Sequence, residues 1–142
     1  MLTVTKIFHF EMAHAIHDYP GSCRNIHGHS YELHVTVSTD VNENTYIPAT
    51  GFVIDFKDIK RIVSESVVDK LDHRIVLSDN FISKNPGPAS LENIVIFEAE
   101  PTAENLLVYI KEILYSSLPE KIKLVRLKLF ETKDSYAAWQ KE

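Results

Sequence analysis

The sequence predicts an α+β fold, in which β-strands at both ends of the chain enclose two α-helices. Three observations support this prediction. Residues 2–10 and 31–38 carry strand patterns, residues 56–71 and 103–118 carry helical periodicity, and residues 121–132 again alternate as a strand. Strands and helices that are segregated along a chain are typical of α+β folds.

Composition excludes several classes of protein. A chain of 142 residues fits one domain, which we expect to span residues 1–142. The hydrophobic fraction of 44% and the charged fraction of 25% are near globular averages, which argues against disorder. A net charge of −5 argues against nucleic-acid binding, which needs clustered Lys and Arg. Because no signal peptide and no run of about 18 apolar residues is recognisable, we expect a cytoplasmic protein without a membrane partner.

The first two elements are strands joined by a loop. The run LTVTKIFHF, residues 2–10, is rich in β-branched and aromatic side chains. In the second strand, apolar residues alternate with polar ones; the apolar positions are Tyr31, Leu33, Val35 and Val37. Between them, HDYPGSCRN contains Pro, Gly, Ser and Asn, which are typical loop residues. Cys23, the only cysteine, therefore lies in a loop and cannot form an internal disulfide.

Two helices follow, each with a candidate N-cap. Asp55 is the candidate cap of the first helix, which should end near the LDH tripeptide. Its apolar positions recur at helical spacing: Phe56, Ile59, Val63, Val67 and Leu71. Thr102 is the candidate cap of the second helix. That helix carries one apolar stripe: Leu106, Leu107, Ile110, Ile113, Leu114 and Leu118.

The remaining segments are one long connection and the C-terminal strands. Residues 78–100 contain SDN and NPGP, which indicates a connection with at most one short strand, at IVIF. The run KIKLVRLKLFET alternates apolar and other residues as a strand does, and YAAW is a candidate last strand.

The chemistry of this sequence centres on the tripeptide HGH. Residues two apart on a strand point to the same side, so His27 and His29 can reach one metal ion, while Gly28 leaves the space between them open. A third histidine from the preceding loop, His14 or His17, would complete the three-nitrogen set of a catalytic zinc site with one open position. His34 has the opposite strand parity and His9 lies in the first strand, so we expect ordinary roles for both.

Cys23 allows three interpretations. It could be a small buried side chain. It could instead be a reactive thiolate, because a neighbouring dication and Arg24 favour the ionised form. If Cys23 were a fourth metal ligand, the site would be closed and structural.

The motifs together resemble the 6-pyruvoyl tetrahydropterin synthase family over nearly the whole chain. They are His14 in EMAH, Cys23 ahead of HGH, GFVIDF at 51–56, Asp72 and His73 in LDHR, PTAENL at 101–106, and Glu131 in ETKDSYAAW. Three residues separate Cys23 from HGH, which is most similar to the branch called 6-carboxy-5,6,7,8-tetrahydropterin synthase, of the queuosine pathway. In the 6-pyruvoyl branch this separation is usually longer.

The resemblance implies a T-fold, or tunnelling fold: a four-stranded antiparallel sheet with two helices packed on one face. It also implies hexamers built from two trimers, with active sites between subunits. The implied zinc ligands are His14, His27 and His29, which decides against His17. The implied substrate is 7,8-dihydroneopterin triphosphate, which the carboxy branch converts to 6-carboxy-5,6,7,8-tetrahydropterin with release of acetaldehyde and triphosphate.

Catalytic and binding roles follow from the same resemblance and from side-chain chemistry. Cys23 would be the base, and His73 would deliver a proton because histidine titrates near neutrality, with Asp72 orienting a histidine. Neighbours in sequence rarely face one another, so the partners of these two residues could come from different chains. Glu131 would accept the paired N–H groups of the pterin edge, and Glu104 could assist it, although the first turn of a helix also favours an acid.

The sequence departs from the family pattern at two places. LDHRIVL lacks the second histidine and the asparagine that often follow LDH, and residues 78–100 form a longer connection than in compact relatives. Both departures bear on the shape of the pocket mouth, and no side chain stands out as an anchor for the triphosphate. The alternatives are a 6-pyruvoyl tetrahydropterin synthase and a non-catalytic module with a structural zinc.

Overall fold

Six strands form one sheet in the computed structural model, which describes residues 1–142. The strands are β1 (Val4–His14), β2 (His27–Ser38), β3 (Arg74–Ser78), β4 (Ile94–Phe97), β5 (Lys123–Thr132) and β6 (Ser135–Gln140). Their order across the sheet is β4-β3-β1-β2-β5-β6. The sheet therefore brings together residues from both ends of the chain.

The sheet has two more strands than the resemblance implied. Strands β1, β2, β5 and β6 are antiparallel neighbours, as expected, whereas β3 pairs in parallel with β1 and with β4. The short strand expected at IVIF is confirmed as β4. Strand β3 was not predicted, because His73, with φ 58°, turns the chain directly from a helix into RIVLS without a loop. The prediction of four strands was therefore wrong.

The helical segments also exceed the two predicted. They are α1 (Phe56–Val63), a π-helical stretch (Ser64–Val68), α2 (Asp69–Leu71), α3 (Asp79–Lys84) and α4 (Ala103–Ser117), with 3₁₀ turns at Ser22–Arg24 and Gly87–Ser90. The first three follow one another directly and correspond to the first predicted helix. The additional helix is α3, which lies within the long connection and is capped by Ser78 Oγ, which accepts from Phe81 N at 3.0 Å.

The π-helical stretch explains how the first helix keeps its apolar side chains on the sheet. Asp55 caps it as predicted, since its Oδ1 accepts from Lys57 N at 2.8 Å. The buried positions are Ile59, Val63, Val67 and Leu71. A spacing of four drifts by about 40° per step on an α-helix, because 3.6 residues make one turn. A wider π turn offsets this drift, so all four residues remain in the core. Phe56 precedes these residues and is half exposed.

Helix α4 covers the same face of the sheet. Thr102 caps it as predicted, with its hydroxyl accepting from Asn105 N at 3.2 Å. The buried stripe of α4 comprises Leu106, Leu107, Ile110 and Leu114, and it packs on β5 and β6. Full burial of each such side chain contributes about 1.5–3 kcal/mol to folding.

The two faces of the sheet differ in cover. On the helix-covered face, strand alternation buries Phe8, Phe10 and Met12 of β1 beside Tyr31 and Leu33 of β2. The opposite, open face carries side chains such as His9, Glu32 and Tyr136. None of the helices has the length and apolarity needed to cross a membrane.

Asp72 joins the end of the first helix to the edge of β1. Its Oδ1 accepts from Glu11 N at 2.8 Å, and the Glu11 carbonyl accepts from His73 N at 2.6 Å. The hydrogen bond from Glu11 N, followed by the contact with His73, lowers the pKa of the Asp72 carboxyl. These two bonds begin the pairing that β3 then continues along β1.

We predict that Asp72→Ala lowers the free energy of unfolding of the metal-free protein by about 1 kcal/mol at neutral pH, because this is the typical net contribution of one hydrogen bond that solvent screens. The pKa of Asp72 is lower in the folded than in the unfolded chain, so its contribution is complete above the unfolded-state pKa and declines as pH falls through the folded-state pKa. Urea unfolding of wild type and variant at several pH values measures the difference. Glu120→Ala, which removes an exposed carboxylate without a partner, is the control; an Asp72 effect that grows towards acid pH would contradict the assignment.

Candidate metal centre

Three histidines lie together where the helix-covered rows of β1 and β2 end. His14 is the last residue of β1, not part of a loop as predicted, and it pairs directly with His27, while His29 pairs with Met12. Side chains alternate between the two faces of a strand, and these three histidines are in the same rows as the buried core residues of β1 and β2. All three rings therefore point to the covered face. Their ligand nitrogens lie within 4.8 Å of one another. The shared side of His27 and His29 agrees with the strand argument.

Two backbone carbonyls fix the tautomers of two of these rings. His14 Nδ1 lies 2.7 Å from Pro101 O, and His27 Nδ1 lies 2.7 Å from Asn25 O. A carbonyl oxygen only accepts, so each Nδ1 carries the proton and donates it. Each Nε2 is then left with a lone pair, and the two Nε2 atoms lie 3.1 Å apart. The carbonyls thus hold both rings as metal ligands are usually held.

The burial of His14 favours the neutral form of its ring. Only 2% of His14 is exposed, and burial lowers its pKa below that of an ordinary histidine, against an opposing effect of the Pro101 hydrogen bond. His14 is therefore neutral near pH 7. A cation bound between the two Nε2 atoms, which lie 3.1 Å apart, would be shared by both rings. Three imidazole nitrogens within 4.8 Å of one another, with a free fourth direction, fit Zn²⁺ as in catalytic sites.

Glu131 and Tyr31 complete the surroundings of His14. Glu131 Oε1 lies 3.8 Å from His14 Nε2, at the end of the β5 row, and the Glu131 side chain is partly exposed. The Tyr31 hydroxyl is buried at 3.4 Å from His14 Nδ1. Burial, and next the charge of Glu131, raise the pKa of Tyr31, so its hydroxyl stays protonated. Sequence reasoning treated Tyr31 as core only, although it shares its strand parity with His29.

Cys23 lies in the loop that joins the two ligand-bearing strands, as predicted. It is part of the 3₁₀ turn Ser22–Arg24, and its carbonyl accepts from Ile16 N at 2.9 Å, which closes the loop. The side chain is exposed, so the interpretation as a small buried residue is wrong. The donor atoms that lie within 4.8 Å of one another include no thiol.

Asp72 and His73 contact each other, contrary to the expectation for sequence neighbours. His73 Nδ1 lies 3.0 Å from Asp72 Oδ2, and His73 has a positive φ of 58°. The His73 ring is 80% exposed and borders a cavity of about 390 Å³ that is also lined by Gly28, His29 and Ser30. No hydrogen bond links His73 to Cys23 within one protomer.

The other candidates lie outside the histidine cluster. Glu104 is in the first turn of α4, where the helix dipole favours an acid, and it lines a separate cavity with Trp139. His17 contacts Asp18, with Nε2 and Oδ2 3.1 Å apart. His9 and His34 both approach Glu32 on the open face, as expected for histidines outside the metal site.

Comparison with known proteins is consistent with this geometry. The family described as 6-pyruvoyl tetrahydropterin synthase matches residues 3–142. The 6-carboxy-5,6,7,8-tetrahydropterin synthase of Haemophilus influenzae is 30% identical over 146 residues, covering 99% of each chain. The 6-pyruvoyl tetrahydrobiopterin synthase of Dictyostelium discoideum is 32% identical over 122 residues, covering 86% of this chain and 76% of that protein.

The fold also matches a solved structure. The 6-pyruvoyl tetrahydropterin synthase of Caenorhabditis elegans superposes with a TM-score of 0.72 at 22% identity, covering 99% of this chain and 96% of the other. A likeness at this identity establishes the fold, which confirms the expected T-fold architecture apart from the number of strands and helices.

We predict that each chain binds one zinc ion at these histidines. Replacing His14, His27 or His29 by Ala should weaken zinc binding by more than about 100-fold, because losing a hydrogen-bond partner of a ligand already costs up to about 100-fold and losing the ligand itself should cost more. Competition with a chromophoric chelator measures the affinity. His34→Ala removes a histidine from the same strand but the opposite face, so it should bind zinc like wild type. Undiminished zinc affinity in His29→Ala would contradict the three-histidine site.

Proposed function

Because the chain belongs to the 6-pyruvoyl tetrahydropterin synthase family, we propose that it is a zinc-dependent carbon–carbon lyase of the 6-carboxy-5,6,7,8-tetrahydropterin synthase type. Its substrate is 7,8-dihydroneopterin triphosphate, and its products are 6-carboxy-5,6,7,8-tetrahydropterin, acetaldehyde and triphosphate. The product would serve queuosine and related 7-deazapurine synthesis in the cytoplasm.

One observation carries the proposal: an open three-histidine site lies beside a loop with a free, exposed thiol. A closed structural zinc site would need a fourth protein ligand. The three-residue separation of Cys23 from HGH and the name of the Haemophilus influenzae relative both favour the carboxy reaction. That relative is similar over 99% of both chains.

Each residue has a role that its position supports. Bound zinc would act as a Lewis acid towards the hydroxyl oxygens of the substrate side chain. The Cys23 thiolate removes a proton from the side-chain carbon. Glu131 accepts the paired N–H groups of the pterin edge, which requires its partly exposed side chain to rotate away from His14. Glu104 remains a weaker candidate for the same edge.

In this proposal the second proton-transfer group, His73, is supplied by a neighbouring copy of the chain. Within one protomer His73 forms no hydrogen bond with Cys23 or with the three histidines; its ring contacts Asp72, although His29 lines the same cavity as His73. Asp72 holds the His73 ring at Nδ1 and leaves Nε2 for the substrate. Assembly as two stacked trimers would bring the Asp72 and His73 pair of one copy to Cys23 of another.

A second candidate is the 6-pyruvoyl reaction, in which triphosphate is eliminated and the three side-chain carbons remain. The Dictyostelium discoideum relative, which is 32% identical, favours it. The two reactions use the same metal site and base, so the fate of the side chain distinguishes them.

We expect the zinc-loaded protein to convert 7,8-dihydroneopterin triphosphate to a 6-carboxy product, with acetaldehyde captured by a hydrazine trap and both identified by mass spectrometry. Cys23→Ala should reduce kcat by about 10²–10⁴, the usual contribution of a positioned base, while zinc content stays unchanged. A 6-pyruvoyl product would establish the second candidate. Loss of zinc and unfolding in Cys23→Ala would instead indicate a structural metal site.

Mixing two inactive variants tests whether active sites form between copies. Cys23→Ala and His73→Gln should each be inactive alone, but co-refolded oligomers contain some sites with both an intact thiol and an intact imidazole. Mixed samples should therefore regain a fraction of wild-type kcat. Cys23→Ala mixed with Cys23→Ser is the control and should stay inactive; mixed oligomers of the first pair that also stay inactive would exclude a shared site.

A further inference from the structure

A cavity of about 500 Å³ lies beside the loop that leads into the metal-ligand candidate His27. It lies between the loop at residues 15–26 and the end of α3. Its polar lining comprises His17, Asp18, Tyr19, Arg24, Asn25, Lys84 and Asn85. We refer to this feature, lined by those residues, as the loop cavity.

The charges of the loop cavity favour an anion. Neither Arg24 nor Lys84 forms an ion pair with any carboxylate of the chain, although the chain carries a net charge of −5. The one acid in the lining, Asp18, contacts His17 at 3.1 Å and is largely exposed to solvent. Two unpaired cations on one concave surface repel each other and concentrate anions there. Arg and Lys are also the side chains that bind phosphate oxygens most readily.

The position of the loop cavity relative to the histidines matches the shape of an extended substrate. Asn25 lines the cavity, and its carbonyl holds His27 at Nδ1, so the cavity begins next to the metal centre. In the sheet order, Glu131 on β5 lies on one side of the histidine-bearing strands, and α3, which follows β3, lies on the other. A molecule with its hydroxyls at the histidines can therefore reach Glu131 with one end and the cavity with the other.

We propose that the loop cavity binds the polyphosphate chain of the substrate, with Arg24 and Lys84 as its cationic contacts. This inference rests on the proposed function, in which a triphosphate extends beyond the carbons that react. It assigns a use to the long connection at residues 78–100, because α3 of that connection supplies Lys84. Neither residue is among the groups proposed to act on the reacting carbons, so we assign both to substrate binding.

The test measures equilibrium binding of inorganic tripolyphosphate to the zinc-loaded protein by calorimetry. Lys84→Gln and Arg24→Gln should each weaken binding about tenfold, whereas Lys84→Arg should bind like wild type. Lys60→Gln removes an exposed charge from α1 and should have no effect. Any tripolyphosphate that binds to the zinc ion itself contributes equally in all these proteins. The difference in affinity between variants therefore measures the contribution of the cavity residues. Zinc content is measured after each titration to confirm that the ion is retained.

The outcomes separate this inference from the proposed function. Binding that is within twofold of wild type in both Lys84→Gln and Arg24→Gln overturns the inference, whether or not the protein turns over the pterin. Weakened tripolyphosphate binding in both variants supports the inference even if the protein does not turn over the pterin. The absence of turnover would then refute only the proposed reaction. If turnover is observed, Lys84→Gln should raise KM for the triphosphate substrate about tenfold and change kcat less; a kcat effect with constant KM would overturn the binding role.

Discussion

The pairing of His14 with His27 across β1 and β2 is the constraint on which the candidate site depends. The register aligns the last residue of one strand with the first residue of the next, and alternation places both rings on the covered face. A shift of one residue in either strand would turn its ligands to the open face. The apolar rows that set this register are buried from Phe8 to Met12 in β1 and from Tyr31 to Val37 in β2, so the core of the protein fixes the geometry of the metal centre.

The same arrangement determines the chemistry that the site can support. Burial keeps His14 neutral, and the carbonyls of Pro101 and Asn25 direct two lone pairs towards one point. These carbonyls belong to the residue before the α4 cap and to the loop that carries Cys23. The metal centre is thereby connected to the position of α4 and to the position of the thiol, so that folding orders the ligands before any ion binds.

Much of this structure could be predicted from the sequence, and what could not has identifiable causes. Strand parity at HGH, the caps Asp55 and Thr102 and the helical stripes were all visible, since each depends on local spacing. Strand β3 was not, because a positive φ at His73 replaces the loop that normally marks a boundary. The carbonyl partners of the histidines carry no side-chain signature, so only the structure identifies them. The Asp72 and His73 contact occurs at the same residue with the unusual backbone angle, which the sequence does not reveal.

The most direct test of the account is X-ray absorption spectroscopy of the zinc-loaded protein, because it counts the ligands of the ion. Three histidines with an open position predict only nitrogen or oxygen neighbours, at about 2.0–2.1 Å, with three imidazoles among them. A sulfur neighbour at about 2.3 Å would mean that Cys23 closes the site, which would contradict both the open metal centre and the role of the thiol as a base.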